Sequence, residues 1–245
     1  MNDGFAPKDG RLNFGEGATD CHNSDSCGQE ERMVRESERL LWQESLSLRK
    51  KTARQELQAI AQGFSPDYLS EVNRAVCDKI LQSRVFACSQ VVFGYLAFAG
   101  EISVDAVLQE ALRLGKTVAV PRILSRTEMQ AVCLTSLQDL PLDRYGIRTV
   151  KQPVRTVAPS SLELILVPGA GFAFSGCRMG RGAGYYDRFL PRTQGFTLGI
   201  ACDPLVRESL PYGPYDYKVS ALVTESRFLI CSSGQSGRRE TGLIE

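Results

Sequence analysis

Short apolar runs that alternate with helical stretches are the feature that most constrains how this chain folds. Residues 85–98 contain the run VVFGYLAF, residues 162–167 read LELILV, and residues 196–201 read FTLGIA. Runs of this length and composition are typical of buried strands. Between the first two runs, residues 104–114 read as a helix that ends at Gly115. Strands that alternate with helices predict an α/β domain with a largely parallel central sheet.

Shorter strands and an irregular connection complete the predicted domain. The additional strands are expected at residues 116–121, 129–134 and 221–224, and residues 139–160, which contain three prolines, read as an irregular connection. Ligands of parallel sheets usually bind in the crevice beyond the carboxyl ends of the strands. Two segments are therefore candidate sites: the segment that ends at Glu101 and the segment that follows Pro168.

Helical composition precedes the sheet. Residues 30–62 read as helix, with a first segment through Arg39 and a second whose apolar residues share one face. These apolar residues are Leu46, Ala53, Leu57 and Ile60, spaced 7, 4 and 3 residues apart. Gly63 and the Ser65-Pro66 pair stop this stretch, and a further helix is predicted at residues 67–82.

Polar tails flank the predicted domain. Residues 1–29 are rich in Gly, Asn, Ser and Asp, so we expect a disordered N-terminal extension. A single α/β domain is expected at residues 30–230, and a flexible tail at residues 231–245. The N-terminus has no apolar signal core, so the expected compartment is the cytoplasm, where thiols stay reduced.

The charge balance and the single histidine argue against several classes of function. The 29 basic and 28 acidic residues nearly cancel, which disfavours a protein built to hold nucleic acid or an anionic membrane surface. No stretch approaches the roughly 20 apolar residues that a membrane span needs. The eight cysteines include no CxxC pair, so zinc-ligand spacing is absent. The one histidine, His22, lies in the polar tail, which disfavours histidine bases, Ser/His/Asp triads and histidine-ligated metals.

The strongest chemical signal is the stretch at residues 167–190, VPGAGFAFSGCRMGRGAGYYDRFL, which has six glycines. Glycine lets the backbone approach a ligand closely, and free N–H groups beside Arg178 and Arg181 suit a polyphosphate. Asp187 could then hold magnesium, which prefers carboxylate and phosphate oxygens. The stretch is neither a Walker A loop nor a GxGxxG fingerprint, and a flexible surface loop is the alternative.

Lys50 and Arg54 form the second signal. They lie four residues apart, so they share a helix face. Lys50 falls within the apolar arc of that helix and Arg54 lies at its edge, which suggests that both cations lean towards a buried anion. The alternative is that their stems pack while their charges reach water, and the geometry favours neither.

Two carboxylates are further candidates. Glu101 follows an apolar run in LAFAGEIS and could face a cleft, although an acid at the N-terminus of the helix at residues 104–114 is the explanation that sequence alone favours. Asp216, in PYDYKVSALVTE, could be a second magnesium ligand. An aspartate in a turn is the commoner explanation there.

Taken together, these segments resemble the 5-formyltetrahydrofolate cyclo-ligase (methenyltetrahydrofolate synthetase) family from about Ser47 to Ser226. The stretch at residues 167–190 matches the family's PG…F…G.R.G.G.GYYD pattern. Weaker matches are Lys50 with Arg54, GEIS at residues 100–103, KTVAVPRI at residues 116–123 and DYKVSALVTE at residues 216–225. All five occur in the family's order. The resemblance implies a three-layer α/β sandwich.

The resemblance also implies an activity and a set of site residues. The activity is ATP- and magnesium-dependent cyclisation of 5-formyltetrahydrofolate to 5,10-methenyltetrahydrofolate, with release of ADP and phosphate. The implied catalytic residues are Arg181, Tyr185 and Glu101. Those implied to bind ATP are Lys50, Arg54, Arg178, Met179, Gly180, Arg181, Gly182, Ala183, Gly184, Tyr185 and Tyr186. Those implied to bind folate are Leu96, Glu101, Arg181, Gly182, Ala183, Gly184 and Tyr185. Asp187 and Asp216 would bind Mg²⁺. Reduced folate and ATP are the expected partners of a monomer that binds neither nucleic acid nor membrane.

Some positions depart from the family's pattern. Ala173 and Ser220 stand where the family often has aspartate, and Ala183 stands where glycine or lysine is usual. The connection at residues 146–153 is slightly long. One alternative is therefore a catalytically inactive relative that binds nucleotide or folate and regulates. Another is a sugar-phosphate isomerase or acyl-transferase on a related sheet, which would not need ATP.

Overall fold

A computed structural model of the protein describes residues 24–98, 100–143 and 146–231. The chain divides into two compact units, residues 1–44 and 45–245, and the second unit carries the sheet. Most of the expected disordered extension lies outside the described residues, but its last part, residues 24–29, is helical. Of the expected C-terminal tail, only Cys231 is described, and it is buried.

Five α-helices lie within the described residues. They are α1 Ser24–Gln62, α2 Pro66–Gln82, α3 Arg84–Cys88, α4 Asp105–Arg113 and α5 Tyr185–Phe189. α1 is one continuous helix of 39 residues, where the sequence predicted two segments. In the described part of the chain, no helix combines the length and the apolar character that crossing a membrane requires.

The break between α1 and α2 follows the predicted stop signals. Ser65 accepts a hydrogen bond from the Tyr68 amide through its side-chain oxygen at 3.1 Å, which caps the first turn of α2. Pro66 stands in that first turn, where its missing N–H leaves no hydrogen bond unmade. The same two residues therefore end one helix and begin the next.

Ten strands form two sheets within the described residues. The strands are β1 Val91–Phe93, β2 Thr117–Ile123, β3 Met129–Leu134, β4 Leu164–Pro168, β5 Gly171–Ala173, β6 Arg178–Met179, β7 Phe196–Ile200, β8 Val206–Arg207, β9 Ala221–Val223 and β10 Phe228–Ile230. The central sheet has the order β10-β9-β7-β4-β1-β2-β3, and its five inner strands run parallel. β3 and β10 pair antiparallel at the two edges. The predicted α/β class with a largely parallel sheet is confirmed.

Alternate side chains of β4 show how the central sheet is covered on both faces. Leu164 and Leu166 pack into a buried cluster to which α1, α2 and α4 contribute. Ile165 and Val167 point to the other face and join a second cluster, which includes Phe172 of β5 and Phe189 of α5. Because both faces are buried, the strand reads as a continuous apolar run, as parallel strands do. The domain therefore has three layers.

The small sheet, with the order β6-β5-β8, was not predicted. Its strands are two or three residues long and lie inside or beside the glycine-rich stretch, which the sequence indicated only as a loop. Strands this short carry no readable periodicity.

The prediction of one strand across residues 85–98 is wrong. Ser83 accepts a hydrogen bond from the Phe86 amide at 3.3 Å and so starts the short helix α3. Only residues 91–93 pair with β2 and β4. The apolar residues that follow leave the sheet, and some of them line the cavity described next.

Candidate active site

Two cavities open at the carboxyl ends of the parallel strands, where the sequence placed the candidate site. Their volumes are about 260 Å³ and 580 Å³. β4 ends at Pro168 and continues into Gly169, and both residues line both cavities. Tyr95, Glu101 and Arg181 also contribute to both. The two cavities therefore share a wall built from the ends of β1 and β4 and from the glycine-rich stretch.

The smaller cavity lies between α1 and the end of β7. Its lining is largely apolar and includes Leu57, Phe64 and Leu205, with Arg54 as a charged member. Cys202 also lines it, and burial raises the pKa of that thiol to about 11. The thiol is therefore neutral near pH 7 and belongs to the apolar lining.

The larger cavity has aromatic and apolar walls interrupted by charges. Its rings and apolar side chains are those of Tyr95, Leu96, Phe98, Pro121, Ile123, Ile147, Tyr185 and Tyr186. Its charged members are Glu101, Asp143, Arg148, Arg178 and Arg181. Apolar walls with a few convergent polar groups are the usual character of small-molecule sites.

The first half of the glycine-rich stretch, residues 169–179, is mostly packed into the scaffold, and only Gly169, Ala170, Gly171 and Arg178 of this half line a cavity. Arg178 NH2 donates to Asp187 Oδ1 at 2.9 Å, and only 4 % of the arginine side chain is exposed. Its guanidinium lies 5.4 Å from the centre of the Tyr186 ring. Arg178 Nε and the Tyr186 hydroxyl are buried and have no partner among the described residues. Burial also raises the pKa of Tyr186, so its hydroxyl keeps a proton that it can donate.

The second half, residues 180–186, lines the cavities at every position except Gly182, which lines neither of the two. Arg181 Nε lies 3.0 Å from Glu101 Oε1, with 51 % of the arginine side chain exposed and 14 % of the glutamate side chain. The guanidinium also covers the Phe98 ring at 3.9 Å. Burial raises the pKa of Glu101, while Arg181 opposes the shift. Glu101 therefore faces the cleft, and Asp105 is the acid in the first turn of α4.

Lys50 and Arg54 both lean inward, as one of the two interpretations of their spacing held. Lys50 Nζ lies 2.5 Å from Asp216 Oδ1, and 23 % of its side chain is exposed. Arg54 Nε donates to the Gly180 carbonyl at 2.9 Å. The anion that Lys50 meets is thus a protein carboxylate, and Arg54 holds the glycine-rich stretch by its backbone.

A hydrogen bond shows that Asp187 and Asp216 lie close to each other. Tyr217 follows Asp216 in the chain, and its backbone N donates to Asp187 Oδ1 at 3.3 Å. Asp216 Oδ2 also accepts from Gly213 N at 2.7 Å, so the predicted turn role holds as well. Within the described residues no group of three or more metal-ligating side chains occurs. Two carboxylates are enough for magnesium when phosphates supply further oxygens, so this donor set fits Mg²⁺ bound with a nucleotide.

The remaining predicted residues differ in what they offer to a ligand. Leu96, Ala183 and Gly184 line the larger cavity. Tyr185 lines it with its ring, while its hydroxyl donates to the Ser125 carbonyl at 3.0 Å. Met179 is buried and its sulfur lies 3.8 Å from Arg54 NH2, so its side chain belongs to the packing.

Several residues of the larger cavity were missed from the sequence. Tyr95 lies in the run that was predicted to be strand, so nothing marked it as a cavity residue. Phe98 lies in the candidate segment that ends at Glu101, but it was not named as a site residue. Asp143, Ile147 and Arg148 lie in the irregular connection, whose position against the sheet only the fold reveals. The slight extra length of that connection was the one available signal.

A family model described as the 5-formyltetrahydrofolate cyclo-ligase family matches residues 46–225 of the chain. The chain belongs to this cyclo-ligase family. The matched residues include every predicted site residue, from Lys50 to Asp216. The resemblance noted in the sequence is therefore confirmed, and the protein is a ligase by family.

Relatives and solved structures agree with the cyclo-ligase family. The chain is 29 % identical over 197 residues to the probable 5-formyltetrahydrofolate cyclo-ligase of Caenorhabditis elegans, covering 74 % of this chain and 95 % of the relative. It is 27 % identical over 170 residues to the Escherichia coli K12 5-formyltetrahydrofolate cyclo-ligase, covering 67 % and 93 %. The NMR structure of Aquifex aeolicus 5,10-methenyltetrahydrofolate synthetase aligns with a TM-score of 0.68 at 27 % identity, covering 79 % and 98 %. A Mycoplasma pneumoniae 5,10-methenyltetrahydrofolate synthetase, at 22 % identity and a TM-score of 0.58, covers 72 % and 98 % and shows likeness of fold alone.

Proposed function

We propose that the protein converts 5-formyltetrahydrofolate and ATP into 5,10-methenyltetrahydrofolate, ADP and phosphate. The observation that carries this proposal is the Glu101–Arg181 ion pair, which lies in the wall common to the two cavities. A reaction between two substrates requires their reacting groups to meet. Ligands held on either side of this pair would meet there, and the names of the relatives agree with the reaction.

The larger cavity is the proposed site of the reduced folate. Its volume of about 580 Å³ falls within the usual range of ligand sites. The rings of Phe98, Tyr185 and Tyr186 offer flat apolar surfaces to the pterin and aminobenzoyl rings. Glu101, which is buried and accepts hydrogen bonds, can bind the N–H groups of a pterin. Leu96 adds an apolar contact.

The triphosphate is proposed to lie where α1 meets the glycine-rich stretch. Lys50, Arg54, Arg178 and Arg181 bring four cationic side chains to this region. The backbone around Gly182 is open, since a Cβ added there would lie no closer than 3.7 Å to any neighbouring atom. Cations together with free backbone N–H groups are the usual partners of phosphate.

Asp187 and Asp216 are proposed to hold the magnesium ion that accompanies ATP. Each carboxylate now pairs with a cation, Arg178 or Lys50. When nucleotide binds, those cations would turn to phosphate oxygens and leave carboxylate oxygens for the metal. The metal would supply further neutralisation of phosphate charge.

The chemistry requires activation of an amide. The N5-formyl oxygen would accept the γ-phosphoryl group of ATP, which releases ADP and makes the formyl carbon electrophilic. N10 of the same molecule would then attack that carbon, and the C–O bond to phosphate would break as the ring closes. Phosphoryl transfer depends on alignment and charge neutralisation. Arg178, Arg181 and Lys50 can supply the charge, so no histidine is needed.

The proposed reaction can be tested with the purified full-length protein, 5-formyltetrahydrofolate, ATP and MgCl₂, by following the near-ultraviolet absorbance of the methenyl product. We expect a rise that requires all three components. No rise with any combination would refute the proposed activity. Calorimetric binding of ATP without turnover would instead favour the inactive relative.

A substitution at Lys50 tests the nucleotide half of the proposal. Lys50→Ala should raise the KM for ATP by about tenfold, because a charge-assisted phosphate contact contributes about 1.5–3 kcal/mol. The KM for 5-formyltetrahydrofolate should change little. An unchanged dependence of the rate on ATP would remove Lys50 from the nucleotide site.

Two positions that favoured an inactive relative lie away from both cavities. Ala173 is buried in β5, and Ser220 is buried where its side-chain oxygen lies 3.1 Å from that of Thr197. Neither residue lines a cavity. These departures therefore affect packing, and they give the inactive alternative no support from the site.

A further inference from the structure

Part of the irregular connection forms a wall of the larger cavity. Residues 146–149, which we call the 146–149 segment, contribute Ile147, Arg148 and Thr149 to the lining. Backbone hydrogen bonds hold the segment: Asp143 N donates to the Ile147 carbonyl at 2.8 Å, and Thr149 N donates to the Pro141 carbonyl at 2.8 Å. Arg148 is therefore presented at a fixed place on the cavity edge.

The guanidinium of Arg148 makes a two-bond ion pair with Asp105. NH1 donates to Asp105 Oδ2 at 2.6 Å, and NH2 donates to Oδ1 at 3.0 Å. The side chains are 29 % and 35 % exposed, so the pair is partly shielded from water. Such two-bond pairs fix geometry as well as adding energy. Asp105 is the first residue of α4, which gives the pair an anchor in regular structure.

The same guanidinium reaches a third element. Arg148 NH2 donates to the Ala97 carbonyl at 3.3 Å. The next residue, Phe98, exchanges hydrogen bonds with Glu101: Phe98 N donates to Glu101 Oε2 at 3.4 Å, and Glu101 N donates to the Phe98 carbonyl at 3.0 Å. The Phe98 ring lies under the Arg181 guanidinium. Arg148 thus ties α4 and the 146–149 segment to the residues that hold Glu101 against Arg181.

We propose that Arg148 is a positioning residue for the folate half of the site, which acts by holding Phe98 and Glu101 at the wall between the cavities. The choice of substrate rests on the proposed function, whereas the positioning rests on geometry alone. Small displacements of groups that orient a substrate are costly to catalysis. Loss of Arg148 should therefore weaken the use of folate, while the nucleotide contacts from α1 stay in place.

The test compares Arg148→Ala with a matched control, Arg113→Ala, on α4, the helix that also carries Asp105. Arg113 makes a two-bond pair with Glu110, at 2.7 Å and 2.7 Å, that is exposed and lines neither of the two cavities. We expect Arg148→Ala to raise the KM for 5-formyltetrahydrofolate about tenfold, as the loss of a charged hydrogen bond does, and to leave the KM for ATP unchanged. Arg113→Ala should change neither value.

Two further variants separate positioning from general stability. Arg148→Lys keeps the charge but loses the planar two-bond geometry. Its KM for 5-formyltetrahydrofolate should therefore lie between those of Arg148→Ala and the unmodified protein. Asp105→Ala combined with Arg148→Ala should be no worse than Arg148→Ala alone, because the two residues act as one unit. An effect of Arg148→Ala equal to that of Arg113→Ala, or equal rises in both KM values, would overturn the proposal.

Hydrogen exchange gives a readout that does not depend on the reaction. Without ligands, the amides of Phe98 and Glu101 should exchange faster in Arg148→Ala than in the unmodified protein or in Arg113→Ala. If the unmodified protein shows no turnover, the proposed function fails while this measurement still decides the positioning role. Unchanged exchange at both amides would refute that role even in an active enzyme.

Discussion

The two halves of the glycine-rich stretch each contain three glycines and one arginine, and they use them differently. In residues 169–179, Phe172, Ala173, Arg178 and Met179 are buried. In residues 180–186, Arg181 has half of its side chain exposed and borders both cavities. One half is therefore part of the scaffold that the other half needs in order to present its groups to ligands.

The glycines follow the same division. A Cβ on Gly171 would lie 2.7 Å from a methyl carbon of Leu57 and 2.8 Å from the Leu205 carbonyl oxygen, so close packing requires glycine there. Gly182 instead has a φ of 109°, and the nearest atom to its Cβ would be 3.7 Å away. There the backbone conformation requires glycine and the space stays open. A run of glycines can thus arise from two independent constraints.

Arg178 and Arg181 differ in the solvent exposure of their side chains. The Arg178 side chain is 4 % exposed and pairs with Asp187, whereas the Arg181 side chain is 51 % exposed and pairs with Glu101. Loss of either arginine leaves a shielded carboxylate without its partner, Asp187 at 21 % exposure or Glu101 at 14 %. Loss of Arg178 also removes a buried side chain from its packing beside Tyr186, whereas loss of the half-exposed Arg181 removes little packing. The comparison therefore predicts opposite balances of stability and activity at positions three residues apart.

The largest expected effect is that of Arg178→Ala on stability. The variant leaves Asp187 without its ion-pair partner and opens space beside Tyr186, so the free energy of unfolding should fall by about 3–5 kcal/mol. Urea unfolding followed by circular dichroism measures this loss, with Arg181→Ala as the matched control. Equal stability of the two variants would show that the first half of the stretch is not scaffold.

Arg181→Ala should show the reverse behaviour. Turnover should fall by about 10²–10³-fold, as it does when one preorganised charge donor is removed from an active site. The free energy of unfolding should fall by less than in Arg178→Ala, because the Arg181 side chain is half exposed and its loss opens little packed space, although Glu101 loses its partner. Steady-state kinetics and urea unfolding measure the two quantities. Near-normal turnover would remove Arg181 from the catalytic residues.

The sequence predicted the parts of this site that short-range patterns encode. Helical periodicity placed Lys50 and Arg54 on one face beside the apolar residues but did not decide between an inward lean and charges that reach water. Arg178 and Arg181 were identified from their glycine-rich setting. The partners were not predictable: Lys50 meets Asp216 across 166 positions of chain, and Arg148 meets Asp105 across 43. Pairings of this kind depend on how the strands order in the sheet, which local patterns do not determine.

Much of the fold was predictable because local sequence patterns encode its buried strands. β3 has the bounds that were predicted, and β4 and β7 lie within about two residues of their predictions because each is a continuous buried run. The strand predicted at residues 85–98 failed because Ser83 caps a helical turn that apolar composition conceals. β5 and β6 escaped prediction because they are only three and two residues long and lie among glycines, which in a sequence usually indicate a loop.

A pair of alanine substitutions sharpens the contrast between the glycines. Gly171→Ala should lower the free energy of unfolding by about 1–3 kcal/mol, since an added methyl group must displace Leu57 and a backbone carbonyl. Gly182→Ala should lower it by about 1–2 kcal/mol, the cost of a side chain at positive φ, and should reduce turnover as well. Thermal melts and kinetics on both variants test this. Loss of turnover without loss of stability in Gly171→Ala would contradict the scaffold role.

The smallest effect is expected for Glu101→Gln, which separates the charge of Glu101 from its shape. Burial raises the pKa of the Glu101 carboxyl from its usual 4.5, against the opposing effect of Arg181. The folded protein therefore keeps this proton at pH values where the unfolded chain has released it. In that window, which begins near 4.5, the stability contributed by Glu101 falls as the pH rises.

Glutamine carries no charge to desolvate, so the stability of Glu101→Gln relative to the unmodified protein should increase as the pH rises from 4 to 7.5. Turnover should fall about tenfold, because a charged hydrogen bond is lost. Urea unfolding at both pH values measures the difference. Glu110→Gln is the control of opposite sign: the hydrogen bond from Arg113 lowers the pKa of Glu110, so that variant should lose stability relative to the unmodified protein as the pH rises. If the stability difference between Glu101→Gln and the unmodified protein shrank with rising pH, the Arg181 ion pair would outweigh burial. Glu101 would then stabilise the wall between the cavities, and the exposed half of the glycine-rich stretch would be scaffold too.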